Sequence, residues 1–170
     1  EGSPRPPADQ WCALDTLLEA VRVEAEALSA GRHALQWPST PTELELAGVE
    51  AELHSALANL LSNAIRYTPE GGRVELEWGL EADGNLLLAV RDSGPGIAAE
   101  HLSRLTERFY RVDGSRSRET GGTGLGLSIV KHIVQRHGGQ LRIDSTPGFG
   151  SCFSLVWPAL RVRGGQGREA

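Results

Sequence analysis

Two carboxamides one helical turn apart, Asn59 and Asn63, followed by Arg66, are the side chains in this sequence whose types and spacing best suit chemistry. Neutral amide oxygens suit a hard cation, and a guanidinium one turn further on suits anionic oxygen. The three stand in the stretch Glu52–Thr68, ELHSALANLLSNAIRYT. Here Leu53, Leu57, Leu60, Leu61 and Ala64 recur at i, i+4, i+7, i+8 and i+11, which predicts a helix packed on a core, with the polar stripe on its other side. A helix is stable without such a stripe, so a solvated face is the plain alternative. Two glycine clusters further along tip the balance, because they call for a phosphorylated ligand.

The first is Asp92-Ser93-Gly94-Pro95-Gly96-Ile97, directly after an apolar run. A carboxylate at a strand end, then glycines that let backbone approach a flat ligand, suits recognition of a base edge. A carboxylate accepts hydrogen bonds only, so it selects an exocyclic amine. A simple turn is the competing explanation. The second cluster, Gly121-Gly122-Thr123-Gly124-Leu125-Gly126-Leu127, leads into an amphipathic run and offers backbone N–H groups at a helix N-terminus, where anions bind. No strand immediately precedes it, as a dinucleotide fingerprint requires, and neither the ending of a P-loop nor the lysine and Asp-Phe-Gly signatures of protein kinases are present. Between the clusters, Arg104, Arg108, Arg111, Arg116 and Arg118 stand with Glu100, Glu107, Asp113 and Glu119, a local net of +1 in a chain of net charge −5. Phe109 and Tyr110 are the only aromatics there, too few for a stacking platform on nucleic acid. Arginines on a flap beside a phosphate site account for the charge better than a solvated run does.

The bulk properties set the bounds. The 170 residues fit one domain with a real core, 39% hydrophobic and 23% charged. The acidic total speaks against general nucleic-acid affinity. Cys12 and Cys152 are no disulfide framework and fit no metal pattern, and His33, His54, His101, His132 and His137 lack the paired spacing of a zinc site. Surface or boundary roles are expected for the histidines. No apolar run has membrane-spanning length and no signal peptide is visible, so no direct membrane contact is expected. The chain starts at Glu1 rather than methionine and reads as a fragment of something longer.

The elements that must position these residues follow from periodicity. Residues 1–10 read as linker, 11–160 as the domain and 161–170 as a frayed tail. Leu14–Ala30 predicts a helix; His33–Trp37 and Glu43–Leu46 predict short strands. Arg73–Trp78 alternates as a half-buried strand, with Val74, Leu76 and Trp78 on one face and Glu75 and Glu77 on the other. Asp83-Gly84 makes a hairpin turn into the strand Asn85–Val90. Ala98–Phe109 predicts a short helix, Leu125–His137 a strong amphipathic one, and Leu141–Ile143 and Cys152–Trp157 two last strands. Strands come in hairpin-like pairs with helices between. The expectation is an α+β two-layer sandwich: a mixed, mostly antiparallel sheet covered on one face by about three helices.

Taken together, these segments resemble the ATP-binding catalytic domain of bacterial sensor histidine kinases, within the ATPase superfamily that includes gyrase B, Hsp90 and MutL and shares the Bergerat-type fold. The resemblance covers about Leu14–Pro158. Asn59–Ala64 with Arg66-Tyr67 is similar to the asparagine box, Asp92–Gly96 to the first glycine box, and Glu107–Arg111 to the phenylalanine box. Gly122–Leu127 is similar to the second glycine box and Gly148–Ser151 to a small third one. The run LTERFYRVD with SRSRETGGTGLGLSIVKH looks closest to phosphate-regulon sensor kinases. The resemblance implies that Asn59 and Asn63 hold the Mg²⁺ bridging the ATP phosphates, and that Arg66 and Tyr67 reach the phosphates and the nucleotide edge. It implies that Asp92 accepts the adenine amine beside Gly94, Gly96 and Ile97, and that Ser151 assists through its hydroxyl. Gly122, Thr123, Gly124, Leu125, Gly126 and Leu127 would cradle the phosphates. Tyr110–Gly121 would be a lid, with Arg111, Arg116 or Arg118 nearing the γ-phosphate.

Two positions depart from the pattern. Gly48-Val49 stands where the family often shows Gly-Asp, and Arg66 stands where lysine is common, still cationic but with fork geometry. The helical hairpin bearing the phosphoacceptor histidine is absent from the sequence. The reading is therefore a monomeric kinase half, a cytoplasmic domain of a sensor kinase whose partners are the histidine-bearing dimerisation hairpin and a response regulator. A serine kinase of the anti-sigma type and a nucleotide-binding module without transfer activity are the competing functions. The phenylalanine box and the long arginine-bearing lid favour the histidine kinase over the first; intact Asn59, Asn63, Asp92 and glycines speak against the second.

Overall fold

The computed structural model describes residues 6–102, 104–107 and 126–164. Its central element is the helix Glu50–Tyr67 (α2), which buries Leu53, Ala56, Leu57, Leu60, Leu61, Ala64 and Ile65. The helix Leu14–Ser29 (α1) packs along one flank of α2 and the helix Gly126–Arg136 (called α4 below) along the other. A four-residue helix, Ala99–Leu102 (α3), lies between α2 and α4 in sequence. Beneath the helices runs a five-stranded sheet of Ala34–Gln36 (β2), Arg73–Leu80 (β4), Leu86–Asp92 (β5), Gly150–Trp157 (β7) and Gln140–Thr146 (β6), in that spatial order. Only the β2–β4 pair is parallel. Alternation decides the two faces. Val74, Leu76, Leu88, Val90, Phe153, Leu155 and Trp157 enter the core under the helices, while Glu77 and Arg91 pair at 2.9 Å on the face away from them. The sandwich expected from the order of elements is thus what the chain forms.

The hairpin turn falls where Asp83-Gly84 places it. Gly84 takes φ +90° and the Asn85 N–H donates to Asp83 Oδ1 at 3.2 Å.

Three expectations need correction. A second, three-stranded antiparallel sheet was not foreseen: Trp11–Ala13 (β1) and Val162–Gly164 (β8) flank Leu44–Ala47 (β3). Residues 161–164, expected to fray, therefore belong to the fold. Arg161 is 8% exposed, and its guanidinium donates to the carbonyls of Pro6, Pro7 and Ala47 at 2.8, 3.0 and 3.0 Å. Arg163 adds a cation–π contact, 4.2 Å over the Trp11 ring. The chain before β1 is thus fastened at Pro6 and Pro7 rather than left as a free linker. Second, the helix expected over Ala98–Phe109 stops at Leu102. The bonds His101 N–H to Ala98, Arg104 N–H to His101 and Glu107 N–H to Arg104 are of the i→i+3 kind, and they make successive turns with Leu105 buried. Residues 108 and 109 lie outside the described residues.

Third, His137 is no boundary residue. It follows Val130, Ile133 and Val134 on the apolar face of α4 and is 1% exposed. Its Nδ1–H donates to the Ile133 carbonyl at 2.8 Å, and its Nε2 lies 3.4 Å from the Val49 N–H, which it accepts. The ring meets Trp157 edge-on, centroids 5.6 Å apart. A Cβ at Gly48 would lie 2.5 Å from the imidazole, so the Gly48-Val49 pair and this histidine fit one another. Val49 has no capping side chain for α2, and His137 supplies an acceptor at that helix start instead.

Burial holds the His137 pKa below the usual imidazole value. Arg161 and Arg136 push the same way, against the Ile133 carbonyl and Glu52. The folded protein therefore binds fewer protons than the unfolded chain once the pH falls through about 6.5. Stability should drop from there until the pH passes the depressed folded value. Urea unfolding between pH 8 and pH 5.5 should show this decline. His137→Gln should start less stable at pH 8 and decline less; an undiminished slope in the variant would contradict the assignment.

Candidate functional site

The site lies where the C-terminal half of α2, the end of β5 and the start of α4 meet. On α2, the Asn59 amide nitrogen donates to the Ser55 carbonyl at 2.8 Å and to Ser55 Oγ at 3.2 Å. That pairing settles which end of the amide is free: Oδ1 turns outward as an acceptor. A Cβ on Gly126, the first residue of α4, would lie 3.2 Å from that oxygen. Asn59 Oδ1 thus lies close against Gly126, where a larger residue would need that oxygen to give by a few tenths of an ångström. Asn63 is half-buried one turn, about 6 Å, further along α2. Arg66 is exposed at the helix end and Tyr67 half-buried beside it. Among the described residues no His, Cys, Asp or Glu cluster could hold a metal ion. The carboxamide oxygens of Asn59 and Asn63 are a donor set that fits a hard cation carrying most of its ligands from water and phosphate.

Asp92 ends β5 on the face turned toward the helices, level with Val74 of β4 and Ser151 of β7. Its Oδ1 accepts the Gly94 N–H at 2.9 Å. Burial raises the carboxyl pKa above the usual range, and the backbone amides of Gly94 and Ser151 oppose that rise. At Gly96 the chain takes φ +77°, and an added Cβ would run into the Thr146 carbonyl. Any other residue would push the loop off the β6–β7 turn.

Behind this loop, Ser145 gathers three contacts. Its Oγ accepts the Ile97 N–H at 2.8 Å, donates to the Gly150 carbonyl at 3.1 Å and lies 2.8 Å from Ser151 Oγ. The Ser151 hydroxyl, expected to serve a ligand, is thus shared with Ser145. The side chains of Ile97 and Leu127, both expected to line the nucleotide, pack against the core. The sequence reading passed over Ser145 and Ser55; each acts through backbone groups that no residue pattern displays. A depression of about 330 Å³ opens at this strand end, lined by Asp92, Ser93 and Ser151 together with Arg73, Glu75 and Arg91. Of its two arginines Arg91 is paired with Glu77, and the Asn59 stripe does not line it.

The structure therefore brings Asn59 and Gly126 together, and Asp92, Gly94 and Gly96 together. Tyr110, Arg111, Arg116, Arg118, Gly122, Thr123, Gly124 and Leu125 lie outside the described residues, and so do the expected lid and most of the second glycine cluster.

Comparison with known proteins shows the family. The sequence pattern of the family described as histidine kinase-, DNA gyrase B-, and HSP90-like ATPase matches residues 48–161. The phosphate regulon sensor protein PhoR of Pseudomonas aeruginosa is 48% identical over 163 residues, which are 95% of this chain and 36% of that protein. The sensor-like histidine kinase SenX3 of Mycobacterium tuberculosis is 49% identical over 120 residues, 71% of this chain and 29% of that one. Among solved structures, the mycobacterial sensor histidine kinase MprB superposes with a TM-score of 0.78 at 29% identity, over 88% of this chain and 97% of that one. Full-length ShkA in complex with AMPPNP gives 0.73 at 28%, over 93% and 31%. The chain spans about a third of the length of the sensor proteins it matches.

The buried carboxylate carries its own test. Because the Asp92 pKa is higher in the fold than in the unfolded chain, its ionised form lowers stability above both values, and the effect vanishes below the unfolded value of about 3.9. Asp92→Asn should therefore raise the melting temperature of the ligand-free protein at pH 7, by roughly 2–4 °C if about 1 kcal/mol is recovered. The gain should shrink toward pH 4. A variant that melts lower than wild type at pH 7 would show the charge to be structurally needed.

Proposed function

Given that the chain belongs to the histidine kinase-, DNA gyrase B- and HSP90-like ATPase family, we propose that it is the ATP-binding catalytic domain of a sensor histidine kinase. It would transfer the γ-phosphoryl group of Mg–ATP to a histidine on a separate dimerisation hairpin, which in turn serves a response regulator. The observation that carries the reading is the juxtaposition of Asn59 Oδ1 with the first residue of α4. A neutral amide oxygen set against the glycine that opens α4 is the kind of pairing a metal-bridged polyphosphate calls for.

The residues divide the work. Asn59 and Asn63 would hold Mg²⁺, which when bound draws the phosphate oxygens together and offsets the charge that develops on transfer. Asp92 accepts the exocyclic amine of the base, and the Gly94–Gly96 turn leaves room for its flat face. Arg66, exposed at the end of α2, approaches anionic oxygen. The glycines 122, 124 and 126 with Thr123 and Leu125 would cradle the phosphates, while the Leu127 side chain packs against the core. Tyr110 and Arg111, Arg116 and Arg118 belong to the flap, one arginine nearing the γ-phosphate, and Tyr67 and Ser151 border the base. Catalysis of this kind is mostly positioning and charge neutralisation, so a domain with no nucleophile of its own suffices. No helix among the described residues is long and apolar enough to cross a membrane, and we assign the domain to the cytoplasmic side of a sensor.

Base selection tests Asp92. GTP presents a carbonyl where ATP presents an amine, so Mg–ATP should bind at least tenfold more tightly, a difference of about 1.4 kcal/mol. Asp92→Asn should weaken ATP by the charge-assisted hydrogen bond, about 1.5–3 kcal/mol. Titration calorimetry giving equal affinities for the two nucleotides would remove Asp92 from this role.

Transfer tests the rest. With γ-labelled ATP the chain alone should form no acid-labile phosphohistidine, since none of its five histidines lies in a recognisable acceptor motif. Adding a histidine-bearing helical hairpin from a related kinase should give weak labelling of the hairpin, weak because the tether that raises effective concentration is missing. Binding without transfer to any such hairpin would favour the nucleotide-sensing module. Labelled serine on an added partner would favour the anti-sigma type.

A further inference from the structure

Thr68 ends α2 and is held unusually firmly for a residue outside the regular helix. Its N–H donates to the Ala64 carbonyl at 3.1 Å, and its carbonyl accepts His33 Nε2–H at 2.8 Å. His33 is fixed in turn, its Nδ1 2.9 Å from Ser29 Oγ. The Thr68 methyl fills the space beside Gly72, where an added Cβ would collide with it. A β-branched side chain with its methyl so placed has its χ1 set, and the hydroxyl direction with it. That hydroxyl is turned toward Gly94. The point where a Gly94 Cβ would sit lies 3.4 Å from Thr68 Oγ1, 3.1 Å from Asp92 Oδ1 and 3.0 Å from the Tyr67 carbonyl oxygen.

Thr68 is 4% exposed, and Oγ1 has no hydrogen-bond partner among the described residues. Only two other buried side-chain polar atoms share that condition, the indole nitrogens of Trp37 and Trp157, and both rings pack with the apolar core. Thr68 Oγ1 alone of the three lies beside the candidate carboxylate. Valine has the same shape and would fill the slot without burying an unpaired oxygen. The hydroxyl is unfavourable for the fold and faces the Gly94 turn beside Asp92.

We infer that Thr68 is a nucleotide-contacting residue that reads the base together with Asp92. The inference rests on the ATP reading above. The edge of adenine offers an amine donor beside a ring-nitrogen acceptor. A carboxylate acceptor beside a hydroxyl donor is its complement, with Asp92 taking the amine and Thr68 donating to the ring nitrogen, at most one water between. The hydroxyl can also accept, so Asp92 governs the choice of base and Thr68 the tightness with which adenine is held.

The test compares Mg–ATP with Mg-1-deaza-ATP, which carries a carbon in place of that ring nitrogen, in wild type, Thr68→Val and Thr68→Ser, alongside melting without nucleotide. Wild type should bind the deaza analogue about five- to tenfold more weakly than ATP, the effect of one net hydrogen bond. Thr68→Val should melt at or above the wild-type temperature, lose about five- to tenfold in ATP affinity and no longer distinguish the two nucleotides. Thr68→Ser should keep the distinction. The proposal is overturned if Thr68→Val binds ATP as wild type does, if it keeps the full distinction, or if it melts lower than wild type, which would make the hydroxyl structural. Failure of wild type itself to bind Mg–ATP would instead overturn the nucleotide reading on which the inference stands.

Discussion

Burial of one face of α2 is the constraint on which the remaining structure depends. Its seven buried residues run from Leu53 to Ile65 and reach the sheet, α1 and α4 at once, so the helix can neither roll nor slide without opening apolar surface on three sides. Because that face is fixed, the position of the opposite stripe follows. Asn59 and Asn63 look outward with no freedom to choose another direction, and Thr68 is delivered to the end of β5. Contacts along the flanks, a hydrogen bond of His54 with Glu24 at 2.9 Å and the ion pair of Arg136 with Glu52 at 3.0 Å, agree with this placement but do not cause it. Such partly exposed pairs contribute little beside the packing.

Around the site, the fold spends its local hydrogen bonds on fixing acceptors rather than satisfying every polar group. Ser55 engages the nitrogen of Asn59 and leaves the oxygen outward. Gly94 engages one oxygen of Asp92. Ser145 ties Ile97 to the β6–β7 turn, so the glycine loop and the third glycine box move as one body. In each case a backbone group or small hydroxyl does the orienting. The result is a candidate site whose Asp92 end is held by the Gly94 amide and whose Asn59 end lies against Gly126.

Much of this was legible in the sequence. Leucine spacing alone placed α2 and its faces, and a carboxylate closing an apolar run placed Asp92 at a strand end. The signal for His137 was also present: Val130, Ile133, Val134 and His137 fall at i, i+3, i+4 and i+7, so the pattern put the ring on the buried face even though histidine is an uncommon core residue. What escaped were features whose partners are backbone atoms. Three-residue strands such as β1 and β8 are too short to alternate, and their pairing with β3 is invisible until the chain is folded. Arg161 reads as a tail charge because the carbonyls that bury it belong to residues more than a hundred positions away. Thr68 likewise stood in plain view at the end of the helix, and only its neighbours Gly72 and Gly94 give its hydroxyl a direction.

The Arg161 clasp has a mechanical side. The segment at Pro6 and Pro7, the middle strand β3 and the strand β8 are stitched by one guanidinium and one small sheet. Because Pro6, Pro7 and Gln10 are each hydrogen-bonded to Arg161 or Gly48, a pull applied through residues 6–10 loads several bonds at once. The load reaches β3 and, two residues beyond it, the start of α2.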